Sequence, residues 1–400
     1  MRIQNPLSCS AVIVAMVALA TNISSSHAED VLIKAKRVVT VTGETYEPGA
    51  VLVSDGKITA VGASIDAGAA ETIEVHTVMP GLINAYGQAG ISGQETERTR
   101  EVTPRLSTVD VIDLQDREFT EQLADGVTTI NVCPGTDNVI SGLSCAIKTT
   151  GDSAARIVAS NTGLVIANCS DPASRNSSRS RPDSIYIRQP TNRMGVVWIL
   201  RSTFHRAKTG ANQTENDGIL RKALDGEQPI LAVSRTHYDI SSLLTIGDEL
   251  GFKAIVVGGE ESWKILDTLK ATKTQIILGS TRPGSQIGSE RTRVTGNNAS
   301  QLHQAGIEFC LSGDALLDQA RFAVRFGLDQ DEALKSITSS PAKILKIDDK
   351  VGSIEVGKHA DLVAFNGDPL EFTSSVQWVM VNGKTTKFDI TSDTKKTSDK

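Results

Sequence analysis

Residues 31–62 alternate apolar and polar positions through VLIKAKRVVTVTG and YEPGAVLVSDGKITAVG, with an Asp55-Gly56 pair inside the second stretch. A period of two broken by a turn dipeptide predicts a series of β-hairpins. The same texture returns near the far end, in GSIEVGKHADLVAFNG and VQWVMVNGKTTKF. Two β-rich segments at opposite ends predict one small composite domain with the middle of the chain inserted between them. That middle alternates short apolar runs with helical periodicity, the pattern of βα units around a parallel sheet. Strands are predicted at Val78–Ala85, Thr128–Cys133, Ala155–Ala159, Gly163–Asn168, Ile230–Ser234, Ala254–Val257, Gln275–Leu278 and Glu308–Leu311. Ser144–Lys148 is the alternative for the third strand. Helices are predicted at Arg117–Ala124, Met194–Lys208, Ile240–Leu250, Glu261–Leu269, Asn298–Ala305 and Ala315–Phe326.

Eight strands is the number that closes a (β/α)8 barrel of roughly 250 residues. The predicted fold is therefore an α/β TIM-like barrel with a small composite β-sandwich from both chain ends. The competing doubly wound sheet lacks its glycine-rich dinucleotide turn. The chain divides into 1–28 as a signal peptide, 29–77 and 346–390 as the composite domain, 78–345 as the barrel, and 391–400 as a polar tail.

The signal reading rests on Arg2, the short apolar run Ser10–Ala20, and the small-x-small site Ser26-His27-Ala28. It predicts an exported protein, periplasmic or extracellular, whose mature form starts near Glu29. The apolar run is too short to span a bilayer, and no later segment is apolar enough to do so.

Composition narrows the partners. Of 400 residues, 39% are hydrophobic, 22% charged and only 4% aromatic, so the core must be mostly aliphatic. Without Arg2 the chain carries 40 basic against 47 acidic residues, and no basic stripe, which argues against nucleic acid as a partner. A small-molecule ligand, self-association or a homologous partner remain open. Cys133, Cys145, Cys169 and Cys310 follow the cleavage site; Cys133 and Cys145 either pair across a Pro/Gly/Asn loop or stay buried thiols. The patch SRNSSRSRPDS (174–184) has the composition of a mobile segment.

The segment VMPGLINAYGQAG (78–90) resembles the first barrel strand of the amidohydrolase superfamily, where a PGLIDxHxH pattern supplies two metal-binding histidines. ALKSITSSPAKILKIDDKVGSIEVGKHADLVAFNGDPL (333–370) is similar to that superfamily's closing segment. GVTTINVCPGTDNVISGLSCAIKTTG (126–151), PTNRMGVVWILR (190–201) and ILAVSRTHYDISSLLTIGDELGFKAIVVGG (230–259) are similar to imidazolonepropionase-related members. The resemblance covers about residues 31–385. It implies a barrel, a composite β-domain, and hydrolysis of non-peptide C–N bonds by one or two divalent metals, zinc among them, at the barrel mouth. A bound metal lowers the pKa of water from 15.7 to about 7, an activation of roughly 12 kcal/mol.

The ligand positions implied by the resemblance are vacated one after another. Tyr86 and Gln88 stand for the two strand-1 histidines, and Asn84 for the preceding aspartate. Val165 matches the strand-4 lysine or glutamate, Ser234 the strand-5 histidine, and Gly258-Gly259 the strand-6 HG pair. Only Asp314, in LSGD, retains the carboxylate after strand 8. Zinc needs several imidazole, thiolate or carboxylate donors, and one carboxylate does not suffice. No metal or other cofactor is expected.

Tyr86 and Gln88 either line a pocket or plug the mouth. Asp314 is either a general base or the cap of the helix near Ala315. His237, with Ser234, Arg235 and Thr236, follows strand 5 at the functional face and is the one histidine retained as a catalytic candidate. Lys148 and Arg193 either bind an anionic ligand group or form ordering salt bridges. Gly352-x4-Gly357-Lys358 mimics a phosphate loop, but His359 follows and no helix does. No GxSxG elbow is present. Three functions follow as alternatives: a non-catalytic ligand-binding member of the superfamily, a hydrolase with a rearranged centre using Asp314, His237, Tyr86 or Glu260, and an envelope scaffold or partner subunit of an intact homologue.

Overall fold

The computed structural model describes residues 30–387, apart from 67, 69, 94, 98, 177–188 and 211–213. The signal segment, the polar tail and most of the 174–184 patch lie outside the described residues.

Strands β1 (Val31–Val38), β2 (Gly49–Ser54), β3 (Lys57–Gly62) and β4 (Glu71–Pro80) open the chain. Asp55 and Gly56 form the turn from β2 to β3 with φ of 49° and 74°, the left-handed pair a two-residue hairpin requires. The barrel strands follow: β5 (Leu82–Gly87), β6 (Val127–Val132), β7 (Ile140–Lys148), β8 (Ile157–Ala167), β9 (Ile230–Ser234), β10 (Ile255–Gly258) and β11 (Ile276–Leu278). A short hairpin, β12 (Gln286–Ile287) with β13 (Thr292–Arg293), precedes β14 (Phe309–Leu311). β15 (Leu362–Phe365), β16 (Val376–Val381) and β17 (Lys384–Lys387) end the described chain.

Both chain ends enter one seven-stranded sheet in the order β17-β16-β15-β4-β1-β2-β3. The ends meet where β4 pairs antiparallel with β15, Val78 opposite Ala364. This continuous composite sheet is what the described residues establish of the expected sandwich. The predicted strand Val78–Ala85 is in fact two. The chain breaks at Pro80-Gly81, so Val78 to Pro80 belong to the composite sheet and the barrel begins at Leu82. Proline cannot donate to a ladder, and a Cβ at Gly81 would fall 2.2 Å from the Thr128 side chain.

The second sheet has eight strands in chain order, β5-β6-β7-β8-β9-β10-β11-β14. Its third strand corrects the expected one. Ser144–Lys148, the alternative, is the end of β7, while Ala155–Ala159 and Gly163–Asn168 are parts of the single long β8. β7 runs antiparallel to both neighbours. Only residues 133–139 separate it from β6, too few for the dozen or more that a parallel crossover needs. The barrel is thus eight-stranded but departs from strict (β/α)8 repetition at this point. Between β14 and β5 the wall is joined by Asn84, whose Oδ1 accepts the Gly313 N–H at 3.0 Å.

Period-two alternation sorts the barrel strands. Leu231, Val233, Ile255, Val257 and Ile277 fill the interior, and Ile230, Ala232, Val256 and Ile276 pack outward against the helices. Those helices include Arg193–Thr209, His237–Leu250, Leu316–Arg325 and Gln330–Ser336. The predicted helix Glu261–Leu269 is a 3-10 turn at Ser262–Lys264 followed by the helix Leu266–Thr272. Cys133 lies in the inner cluster and Cys145 in the outer one; all four described cysteines are free. No helix among the described residues is long and apolar enough to cross a membrane.

Lys148 ends β7 opposite Thr129, near the start of β6, which puts it at the N-terminal foot of the barrel. It is wholly buried there in an ion pair with Asp361, just before β15. Asp361 also accepts the Asn382 N–H at 2.9 Å. The pair fastens the barrel to the composite sheet, and its two charges depend on each other. Removing one partner of a buried pair strands the other and costs about 3–5 kcal/mol, whereas replacing both by apolar groups is often neutral. Chemical denaturation should therefore find Lys148→Met strongly destabilised and Lys148→Met/Asp361→Leu substantially recovered. A double variant as unstable as the summed singles would mean the two residues act separately.

Candidate functional site

The C-terminal ends of the barrel strands open on a cleft of about 600 Å³ lined by Tyr86, Gln88, Thr136, Arg235, Glu260, Ser280, Arg282, Asp314 and Phe322, with Val233 and Val257 as apolar floor. Four of the eight predicted site residues meet here: Tyr86, Gln88, Arg235 and Asp314. A register slip in the β5–β6 ladder between Asn84 and Gly87 turns Tyr86 onto the inner cluster. Its hydroxyl is buried without a hydrogen-bond partner, and burial pushes its pKa well up.

The other four lie elsewhere. Ser234 follows the outward positions Ile230 and Ala232, so it is buried behind the wall, its Oγ unpartnered and absent from the cleft lining. The inward residue at the end of strand β9 is Arg235. His237 begins the helix His237–Leu250 outside the cleft, its Nδ1 2.8 Å from Glu261 Oε2. Arg193 caps the same rim, ion-paired with Asp239 and 3.9 Å over the Tyr238 ring. Lys148 occupies the opposite face of the barrel. Asp314 does not cap its helix: Ala315 is the N-cap, left-handed at φ 48°, with no side-chain cap bond.

Arg235 organises the mouth. Its Nη2 donates to Asp171 Oδ2 at 2.7 Å, and its Nη1 lies 3.3 Å from Glu290 Oε2. Thr136 Oγ1 also donates to Asp171 Oδ2 at 2.7 Å, and Ser289 Oγ to Oδ1 at 3.0 Å. Burial alone would raise the Asp171 pKa, but the Arg235 guanidinium and these hydroxyls hold it down at about 2. Glu290 Oε1 accepts the Ser170 N–H at 2.6 Å. Sequence reasoning missed Asp171 and Glu290. Asp171 lies a few residues past strand β8, a position the strand pattern marks as the mouth. Glu290 sits in the loop between β12 and β13, and no local signal marks it.

Glu260 fills space that the vacated strand-6 position leaves open. A Cβ on Gly279 would stand 2.5 Å from its Oε1, and one on Gly258 3.0 Å from its Oε2. Two glycines without side chains thus make the cradle for this carboxyl. The residue is 2% exposed, its Oε2 has no partner, and burial lifts its pKa to about 7.

These donors do not fit a metal. Among the described residues one group of three, Cys169, Asp171 and Glu290, brings possible ligand atoms within 4.8 Å of each other. Both carboxylates already face Arg235, which cannot shed its charge. Burial pushes the Cys169 thiol far up, so it keeps its proton. A cation entering there would meet a guanidinium.

The model of the amidohydrolase family matches residues 269–386. A solved amidohydrolase from Thermotoga maritima is 27% identical, covers 90% of this chain and 100% of its own, and superposes with a TM-score of 0.81. These matches support the amidohydrolase superfamily as the family of this fold. Imidazolonepropionase from Fusobacterium nucleatum is 27% identical over 160 residues, a match spanning 32% of this chain and 38% of that relative's length. A zinc-bound adenosine deaminase from Xanthomonas campestris, 18% identical with a TM-score of 0.52 over 89% of this chain and 92% of its own, shares the fold.

The buried Glu260 carboxyl gives this protein a distinctive pH response. A pKa raised from its ordinary 4.5 to about 7 means that the folded state binds the extra proton, so stability falls as pH rises between those values. At 1.36 kcal/mol per unit the full loss is on the order of 3 kcal/mol. Thermal unfolding of Glu260→Gln should match the parent near pH 4.5 and exceed it increasingly toward pH 8. Parallel melting curves across that range would show that Glu260 titrates normally.

Proposed function

We propose that this protein is a non-catalytic superfamily member whose barrel mouth binds a small molecule without a metal. The observation that carries the reading is Arg235, a fixed cation bound between Asp171 and Glu290 where the mouth's acidic groups converge. With Tyr86, Gln88 and Gly258 at vacated positions, no set of side chains among the described residues is free to generate metal-bound hydroxide, and on this reading the family's hydrolytic step loses its nucleophile. The cleft itself persists at a volume suited to a small organic ligand. Metal analysis of the purified protein is expected to give far less than one transition metal per chain, with a melting temperature unmoved by a chelator. Stoichiometric zinc, or a chelator-induced loss of stability, would overturn the reading.

Glu260 favours a second reading, a metal-independent hydrolase in which a carboxyl titrating near neutrality acts as general acid or base. Turnover of cyclic amides by metal-free protein, lost in Glu260→Gln, would replace binding by catalysis. Export is the compartment we propose, supported by Arg2, the apolar run and the Ser26-His27-Ala28 site. N-terminal sequencing of the mature protein should then begin near Glu29, and an intact Met1 would refute export by cleavage.

A further inference from the structure

Two buried side-chain atoms without a hydrogen-bond partner among the described residues, Glu260 Oε2 and the Tyr86 hydroxyl, belong to residues lining the same cleft. An unsatisfied buried acceptor costs about 1–3 kcal/mol, more if charged. The Glu260 backbone N–H donates to its own carboxyl, and among the described residues nothing donates to Oε2. Arg235, the nearest cation, is committed to Asp171 and Glu290. Arg282 lies across the cleft with its guanidinium 5.7 Å over the Phe322 ring. The missing donor must come from outside.

Charge decides what kind of donor it is. The groups facing Glu260 are Arg235 from the end of β9, Asp171 from beyond β8, and Glu290 from the β12–β13 loop. Arg282 and Asp314 are the other charged residues of the lining, while Asp171 and Glu290 stand behind Arg235 and outside it. With the two carboxylates held behind Arg235 counted, two guanidinium groups stand against four carboxyls, an excess of acid that a neutral ligand leaves uncorrected and an anionic one worsens. Val233, Val257 and Phe322 supply apolar surface beside these groups.

Resting on the ligand-binding reading above, we infer that the cleft takes a protonated amine on an apolar body, its ammonium donating to the free oxygen of Glu260. An ammonium presents three donors and one positive charge, which answers both the orphan acceptor and the charge excess. Neutralising Glu260 from outside restores the ionised form, so binding releases protons near neutral pH, where the buried carboxyl is part-protonated. The Tyr86 hydroxyl, equally unpartnered, is the second polar contact available to the same ligand.

The test uses the full mature protein and matched probes: benzylamine and phenethylamine, the corresponding alcohols, and the corresponding carboxylates. Saturation-transfer NMR ranks binding, and calorimetry at pH 7 in buffers of different ionisation enthalpy counts protons. Amines should bind at least about tenfold more tightly than the alcohols, carboxylates should not bind, and amine binding should release protons. Glu260→Gln should remove the amine preference, bringing the amines to the affinity of the matched alcohols. Alcohols or carboxylates binding as well as amines would overturn the amine assignment and leave the ligand-binding reading standing. Failure of every probe class to bind would instead sink both.

Discussion

The contact between the Arg235 guanidinium and the carboxylates of Asp171 and Glu290 is the constraint from which the rest of the mouth follows. It links three segments far apart in sequence: the end of β9, the turn beyond β8, and the loop between β12 and β13. Buried acids at that density need a cation, because isolated charges out of water are prohibitively costly. In the superfamily's pattern a metal meets that need. Here a covalently attached guanidinium does so, bound through a planar fork of hydrogen bonds and permanently charged. A metal can activate water; a guanidinium can only orient and neutralise.

Filling the mouth this way changes its neighbours. Glycine at 258 and 279 leaves room for the Glu260 carboxyl, which takes part of the space a larger side chain would claim. With Arg235 already engaged on two sides, Glu260 receives too little positive charge to stay fully ionised when buried. The result is an acidic cleft with an unmet acceptor on a rigid frame. Sites of this kind trade stability for recognition. The foot of the barrel is the opposite case: Lys148 and Asp361 meet in a fully buried pair, and Asp361 also accepts a backbone N–H, contacts that fasten the composite sheet to the barrel.

Much of the architecture was legible along the chain. Alternation and the Asp55-Gly56 turn announced the first hairpins, and the matching texture at residues 352–387 announced that the two ends would meet. Four of eight site residues, Tyr86, Gln88, Arg235 and Asp314, converge in the cleft. Ser234 failed by one position, because a strand's inward and outward faces alternate and the motif alignment does not fix the phase. Lys148 failed because β7 is reversed, which carries its C-terminal end to the foot of the barrel instead of the mouth. Nothing local in the apolar run Ile140–Lys148 specifies its direction.

The chain by itself determined most of the apolar runs that became barrel strands, the composite ends and the absence of histidine from the positions of the family motif, since each is a property of residue type and spacing. Only the folded barrel decided which charges would share the mouth. Arg235, Asp171 and Glu290 are separated by up to 119 positions, and their meeting depends on loops whose course has no periodic signature. Burial, which sets the state of Glu260 and the permanence of the Arg235 contacts, is a property of the assembled wall.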